Sequence, residues 1–269
     1  TNKLVAAEAV VDLLNEREKR LVPEIYVSDV RAAGFEPMRI KSFGRTRAFL
    51  KIEDGCDSNC AYCIIPAARG KVRSKPPAEV ISEVIALAGA GCYEVVLTGI
   101  ETAAYGRDIG TDLASLLEEI DRIEGITRVR LGSLDPALLR PRFIERISKL
   151  RSLASHFHLS MQSGCDRVLA LMRRKYNTKT ASRAMADIRS AFPEVQLTAD
   201  MIIGFPGETD SDFEETLDFV RSAKFLSIHV FPYSRRPGTD AALFPGQVPA
   251  AVKKQRWKAL DRLQGEIRR

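Results

Sequence analysis

A chain of 269 residues, 45% hydrophobic and 28% charged, has the make-up of an ordinary globular protein, long enough to bury a core without disulfide staples. No apolar run approaches the length of a membrane span, so a membrane-embedded protein is excluded as the expectation. Lys+Arg 41 against Asp+Glu 35 leaves a net charge of +6, which is compatible with nucleic acid but also common in proteins that bind none.

Taken in chain order, residues 1–45 read as a helical piece followed by irregular chain. Leu4, Val5, Val10, Val11, Leu13 and Leu14 share one helix face, with a partner expected upstream. Residues 21–45 carry Pro23, Gly34, Pro37 and Gly44 and read as a linker. The chain starts without methionine and ends inside a basic helical pattern, so residues 1–45 are expected to be a remnant and linker from a missing N-terminal domain.

Residues 46–269 read as one domain. Short apolar runs rich in β-formers alternate with helical periodicity, the signature of βαβ units and a parallel sheet. Strands are expected at 48–53, 94–97, 128–131, 156–159, 196–203 and 227–231. Helices are marked by Val80, Val84 and Leu87, by Leu113, Leu116, Leu117 and Ile120, and by Phe143, Ile144 and Ile147. A broken fourth passes Val168, Leu169 and Met172, then Met185 and Ile188. Phe213, Leu217 and Val220 mark a fifth, opened by Thr209 and Asp212 in capping-box spacing. A last helix runs from about Pro249. Six such units make an α/β fold of the partial (βα)6 TIM-like barrel type, about three-quarters of an eight-unit barrel.

The first strand runs into Cys56-Asp57-Ser58-Asn59-Cys60-Ala61-Tyr62-Cys63, a C-x3-C-x2-C run. Three thiolates on one short loop hold three irons of a cubane cluster and leave the fourth open, unlike the four-cysteine sites of electron carriers. A structural zinc site would need a fourth Cys or His, and Cys92, Cys165, His156, His158 and His229 all lie far off with no paired spacing. An odd count of five cysteines and no secretory signal argue against disulfides, and the chain reads as cytoplasmic. On spacing alone, iron–sulfur, zinc and free thiols all stay open.

Barrel active sites sit at the carboxyl ends of the strands. Here those ends deliver Thr98-Gly99-Ile100-Glu101, Gly132-Ser133, Gln162-Ser163-Gly164, Gly204-Phe205-Pro206-Gly207-Glu208 and Pro232-Tyr233-Ser234 to the rim that carries the cysteines. Singly, each has an ordinary reading: turn glycines, a buried amide at Gln162, a tight turn before a capped helix. His158 and His229, within or beside apolar strands, read as satisfied core residues.

Together these residues resemble the radical S-adenosylmethionine (radical SAM) superfamily, and within it the methylthiotransferases, from about residue 46 to 259. The resemblance is carried by Cys56, Cys60 and Cys63 with Tyr62 before the last cysteine, and by Ile64-Ile65-Pro66, Arg69-Gly70 and Val72-Arg73-Ser74. Further along it is carried by Gln162-Ser163-Gly164-Cys165-Asp166, Gly204-Phe205-Pro206-Gly207-Glu208-Thr209 and Tyr233-Ser234-Arg235-Arg236-Pro237-Gly238-Thr239. It implies a 4Fe-4S cluster on Cys56, Cys60 and Cys63 that cleaves SAM to a 5′-deoxyadenosyl radical.

The resemblance also implies that Thr98 and Gly99 meet the methionine amino group, Ser133 and Gln162 the methionine or ribose, and Tyr62, Ile203 and Gly204 the adenine. Arg69, Arg73, Arg173, Arg174, Arg235 and Arg236 are then candidates for phosphates or a substrate carboxylate, against the plainer reading of a solvated basic surface. Cys92 is expected away from the strand ends, and Cys165 where serine is common. The resemblance further implies a second 4Fe-4S cluster in the missing N-terminal domain, a tRNA substrate, and an electron donor protein or reductant, with no stable protein partner evident. Leu97-Thr98-Gly99-Ile100 and His229-Val230-Phe231-Pro232-Tyr233-Ser234 look most like the branch acting on threonylcarbamoyladenosine beside the anticodon, although Glu101 stands where a histidine is expected. Alternatives are the isopentenyladenosine tRNA branch, the ribosomal-protein branch, a radical SAM enzyme that does not methylthiolate and, from another class, a zinc-bearing RNA-binding module.

Overall fold

The computed structural model describes residues 3–15, 29, 34–36, 38–40, 43 and 46–267. Most of the expected linker at 21–45, and the side chain of Leu4, therefore lie outside the described residues. Helix α1 (Lys3–Asn15) forms as its periodicity predicts, with Val5, Val10, Val11, Leu13 and Leu14 exposed.

Six parallel strands run in chain order: β1 (Ala48–Lys51), β4 (Glu94–Thr98), β5 (Arg128–Leu131), β6 (His156–Gln162), β7 (Gln196–Ile203) and β8 (Ser227–Pro232). Two short strands, β2 (Glu53–Asp54) and β3 (Arg73–Ser74), pair with each other antiparallel. β1 pairs β4 and β4 pairs β5, while β6 pairs β7 and β7 pairs β8. Isolated parallel bridges, Val129 to Leu153 and Leu134 to Leu159, join the two halves. Among the described residues no pairing links β1 to β8, so the barrel stays open on that side, as six units require.

Between the strands lie α2 (Ile65–Arg69), α3 (Pro77–Gly89), α4 (Leu113–Ile120), α5 (Pro141–Ile147), α6 (Asp166–Leu171), α7 (Thr178–Ala191), α8 (Asp210–Ala223) and α9 (Ala250–Ile267). The broken fourth helix is α6 and α7, separated by 172–177. Thr209 and Asp212 form the expected capping box on α8, satisfying both orphan ends of that turn.

The expected first strand, 48–53, is corrected. Barrel pairing stops at Lys51, and Glu53 and Asp54 leave to pair with Ser74 and Arg73. The chain thereby turns out of the sheet before the cysteines.

Strand alternation separates two environments. Phe157, Leu159, Met161, Ala199, Met201 and Ile203 pack against the helices in one large core. The opposite face, including His156, His158, Gln162, Asp200 and His229, lines a partly open lumen. Leu97 is fully buried in that core. Leu97→Ala there forfeits about 2–5 kcal/mol, the usual cost of an unfilled buried cavity.

Candidate functional site

The cysteine loop is held by backbone rather than by its own side chains. Gly55 starts it at φ +86°, with no room for a side chain: a Cβ would lie 2.0 Å from the Lys71 carbonyl oxygen. The Cys56 N–H donates to the Gly70 carbonyl at 3.1 Å, Ala61 N–H to the Met172 carbonyl at 3.1 Å, and Ala241 N–H to the Ala61 carbonyl at 2.8 Å. Beneath the loop, Ala61, Cys165, Val168, Met172, Phe205 and Tyr233 form a small second core. The loop is thus fastened to the chain after β6, β7 and β8.

Cys56, Cys60 and Cys63 are all half-buried free thiols. Their sulfurs do not gather within 4.8 Å of one another, as ligands of a single zinc ion would. Burial pushes the Cys56 and Cys63 thiols up. Each sulfur has a donor: Ser58 N–H reaches Cys56 Sγ at 3.4 Å, Arg174 Nη1 reaches Cys60 Sγ at 3.4 Å, and the Ile65 backbone N–H serves Cys63. Donors and a cation at the sulfurs suit thiolates on a cluster. Cys92 is buried beside the start of β4, donating to the Glu94 carbonyl, and Cys165 is buried against Asp212 Oδ1 at 3.3 Å. Neither completes a fourth ligand. The donor set fits a cluster with one open iron.

Arg174 is held at three further points: Asp135 Oδ2 at 3.0 Å, the Ser160 carbonyl at 3.1 Å and the Tyr176 hydroxyl at 3.2 Å. Its guanidinium also lies 5.0 Å from the Tyr176 ring centroid.

A cleft of about 370 Å³ opens beside Cys63 and is lined by Tyr62, Gln162, Asp200, Ile202, Phe231 and Arg236, among others. Gln162 ends β6 at φ +65°, a conformation rare for a residue with a side chain and one that functional sites tolerate. The Tyr62 ring stands edge-on to Phe205, centroids 6.3 Å apart, and Phe205 is fully buried. Asp200 Oδ1 is clamped by His158 Nε2 at 3.1 Å and His229 Nδ1 at 3.2 Å. His158 Nδ1 lies 2.8 Å from Thr198 Oγ1. His158 is thus a satisfied strand residue, as expected. His229 is not a core residue: its side chain is 61% exposed, because at β8 the lumen is open.

The remaining predicted contacts fall as follows. Thr98 Oγ1 donates to the Leu50 carbonyl at 3.3 Å, and Gly99 lies directly on Glu53, where a Cβ would meet Oε2 at 2.5 Å. Ser133 is half-buried at the end of β5. Ile203 is fully buried in the helix-facing core, so its side chain cannot face the cleft; Ile202, one residue back, does. The Gly204 N–H is taken by Glu208 Oε2. Arg69 and Arg73 lie by Asp54, at 3.5 and 3.7 Å, Arg173 pairs with Asp240, and Arg235 Nε donates to the Ala242 carbonyl at 2.7 Å. Those four are occupied within the fold.

Sequence reading missed Glu53, Asp200 and the site role of Arg174. Glu53 is fully buried. Its Oε2 accepts the Glu101 N–H at 2.8 Å, while its Oε1 has no partner. Burial raises its pKa to about 7 against the opposing pull of the Glu101 and Ile100 N–H groups. Glu101 also rises to about 7, from burial and the charge of Asp135. The alternation of 196–203 carried a signal for Asp200, a carboxylate on the lumen face of an apolar strand.

An open parallel barrel whose strand ends surround three cluster-suited thiols defines a class of iron–sulfur radical enzymes. Residues 50–220 match the Radical SAM superfamily, and the chain belongs to it. That superfamily uses a 4Fe-4S cluster and SAM, and Cys56, Cys60 and Cys63 are the donors this chain offers to such a cluster.

Similar solved structures include the radical SAM methyltransferase TsrM from Kitasatospora setae, with a TM-score of 0.62 and 18% identity over 72% of this chain and 38% of that one. Coproporphyrinogen III oxidase (HemN) from Escherichia coli follows at 0.59 and 14%, over 82% of this chain and 52% of that one. At such identities they speak to the fold alone.

Among curated relatives, a tRNA-2-methylthio-N(6)-dimethylallyladenosine synthase of Moorella thermoacetica is 40% identical over 95% of this chain. The threonylcarbamoyladenosine tRNA methylthiotransferase MtaB of Bacillus subtilis is 39% identical over 97%. The chain spans 58% of the length of each. Among the described residues no helix is long and apolar enough to cross a membrane.

Proposed function

We propose that this chain is the SAM-cleaving part of a tRNA methylthiotransferase that converts threonylcarbamoyladenosine beside the anticodon to its 2-methylthio derivative. The observation that carries the reading is the single loop bearing Cys56, Cys60 and Cys63, the last of which lines a 370 Å³ cleft, in a chain about 40% identical to relatives with methylthiotransferase names. When bound, the cluster and SAM supply one-electron cleavage of a sulfonium bond, giving a carbon radical able to take hydrogen from an unreactive C–H bond.

The chain's own residues hold and orient. Cys56, Cys60 and Cys63 bind three irons. Arg174, beside Cys60, offers a fixed cation to the methionine carboxylate, and Gly99 lets the 98–101 backbone approach the methionine amino group. Gln162 and Asp200 present an amide and a carboxylate to sugar hydroxyls, and the Tyr62 ring backs the adenine. Arg236 remains for a substrate anion. Binding the reactants in one small cleft converts the hydrogen transfer into a positioned, effectively unimolecular step.

Sulfur delivery is assigned to a second 4Fe-4S cluster outside residues 46–269, and reduction to an external electron donor. The branch rests on 97–100 and 229–234. The rival branch, acting on dimethylallyladenosine, is favoured by the name of the Moorella relative. Mass spectrometry of tRNA nucleosides from cells lacking the full-length protein decides. Loss of methylthiolated threonylcarbamoyladenosine supports the proposal. Its persistence with no second enzyme present, or loss of the dimethylallyl product instead, overturns the branch.

A further inference from the structure

The arginines that the motifs single out are mostly engaged within the fold, and the uncompensated cations lie elsewhere on the same rim. A cleft of about 690 Å³ is lined by Ser58, which sits between two cluster ligands, by Glu101 and Asp135, and by a ring of cations. Within that ring Arg146 is neutralised by Asp112 at 2.9 Å and Glu118 at 2.7 Å, and Asp135 is taken by Arg174. Arg142 and Lys175 make no ion pair or side-chain hydrogen bond among the described residues, Arg107 makes no close ion pair but its charge reaches Glu101 in the same cleft, and Arg140 only meets the Ala137 carbonyl.

A second cleft of about 350 Å³ continues from the first, sharing Ala137, Arg140 and Lys175 with it, and adds Lys179 and Arg183. Lys179 is likewise without an ion pair, while Arg183 reaches Asp187 only at 3.9 Å across solvent. The two clefts form one basic groove, running from the cysteine loop, past the loops after β4 and β5, to the start of α7. Uncompensated cations in a row along a groove match a repeating anion, not a single carboxylate.

The geometry points to this groove as the docking track for the phosphodiester backbone of an RNA substrate, set by Arg107, Arg140, Arg142, Lys175 and Lys179. The inference rests on the RNA substrate class proposed above and adds where the backbone lies. Such contacts position without reading sequence, and they release counterions in proportion to their number. The track delivers the strand to the side of the loop that carries Ser58, so the target base approaches the site from the β4–β5 side.

The test is fluorescence anisotropy of a labelled RNA stem–loop with the chain, across a range of salt. Arg142→Glu and Lys175→Glu each lower the slope of log affinity against log salt by about 0.7–0.9 and weaken low-salt binding about tenfold. Lys175→Arg restores both, and Lys258→Glu, on the exposed face of α9, changes neither. Matched melting temperatures exclude misfolding. Unaltered slopes in Arg142→Glu and Lys175→Glu, or no RNA binding by the unmodified chain, overturn the track. Nucleoside analysis separates the two ideas: methylthiolation with unaltered slopes sinks the track alone, whereas altered slopes with no methylthiolated nucleoside sink the enzymatic reading alone.

Discussion

Replacing Glu53 with Gln tests how the site is built, because Glu53 is the peg under the 98–101 loop. The carboxylate is fully buried and supports the Glu101 N–H, and its pKa rises from 4.5 to about 7. A carboxylate whose folded pKa is raised binds its proton more tightly in the folded state. Its contribution to stability is therefore complete below about pH 4.5 and is lost as pH rises through about 7. A shift of that size corresponds to about 3 kcal/mol, an upper figure. Gln keeps the shape and the acceptor oxygen but cannot ionise.

Equilibrium urea unfolding of the metal-free protein from pH 5 to pH 8 is the assay. The wild type loses stability across that window. Glu53→Gln loses less, so the gap between them opens in favour of Gln with rising pH, by up to about 3 kcal/mol. Glu101 titrates in the same range and remains in the variant, so some slope persists. Parallel profiles for the two proteins would refute the assignment of a buried, proton-binding Glu53.

Two further outcomes follow from the loop. Gly55→Ala places a Cβ against the Lys71 carbonyl in a left-handed backbone, so iron content per chain after anaerobic reconstitution falls to a minor fraction of wild type, with the fold retained by circular dichroism. Arg174→Met removes a cation and an N–H donor from Cys60, which makes cluster reduction harder. Its midpoint potential moves negative on the order of 60 mV, equivalent to a tenfold change for one electron, and SAM affinity drops in equilibrium binding.

The strands were legible because period-two alternation and βαβ spacing are local properties. All six lie where the sequence places them, within two or three residues at their ends. The boundary at Lys51 was not legible, since it depends on pairing between Glu53–Asp54 and Arg73–Ser74 across an intervening loop. The cysteine run was visible because three ligands sit on one loop. Arg174 and Asp200 were harder to assign, since each gains its role from partners on distant segments: Cys60 and Asp135, in two loops, for one, and His158 and His229, on the neighbouring strands, for the other. Ile203 turns its side chain into the helix-facing core while Ile202 lines the cleft, because alternation sends successive side chains to opposite faces. The basic groove had no motif at all, because its cations come from three separate segments that only the fold brings together.

The most direct test of the central claim is reductant-dependent formation of 5′-deoxyadenosine from SAM by the anaerobically reconstituted chain. The account predicts a brown protein that forms it, and a colourless, inactive one when any of Cys56, Cys60 or Cys63 is replaced by Ala. Undiminished SAM cleavage after replacement of all three, or a colourless wild type that binds one zinc and cleaves no SAM, would contradict it.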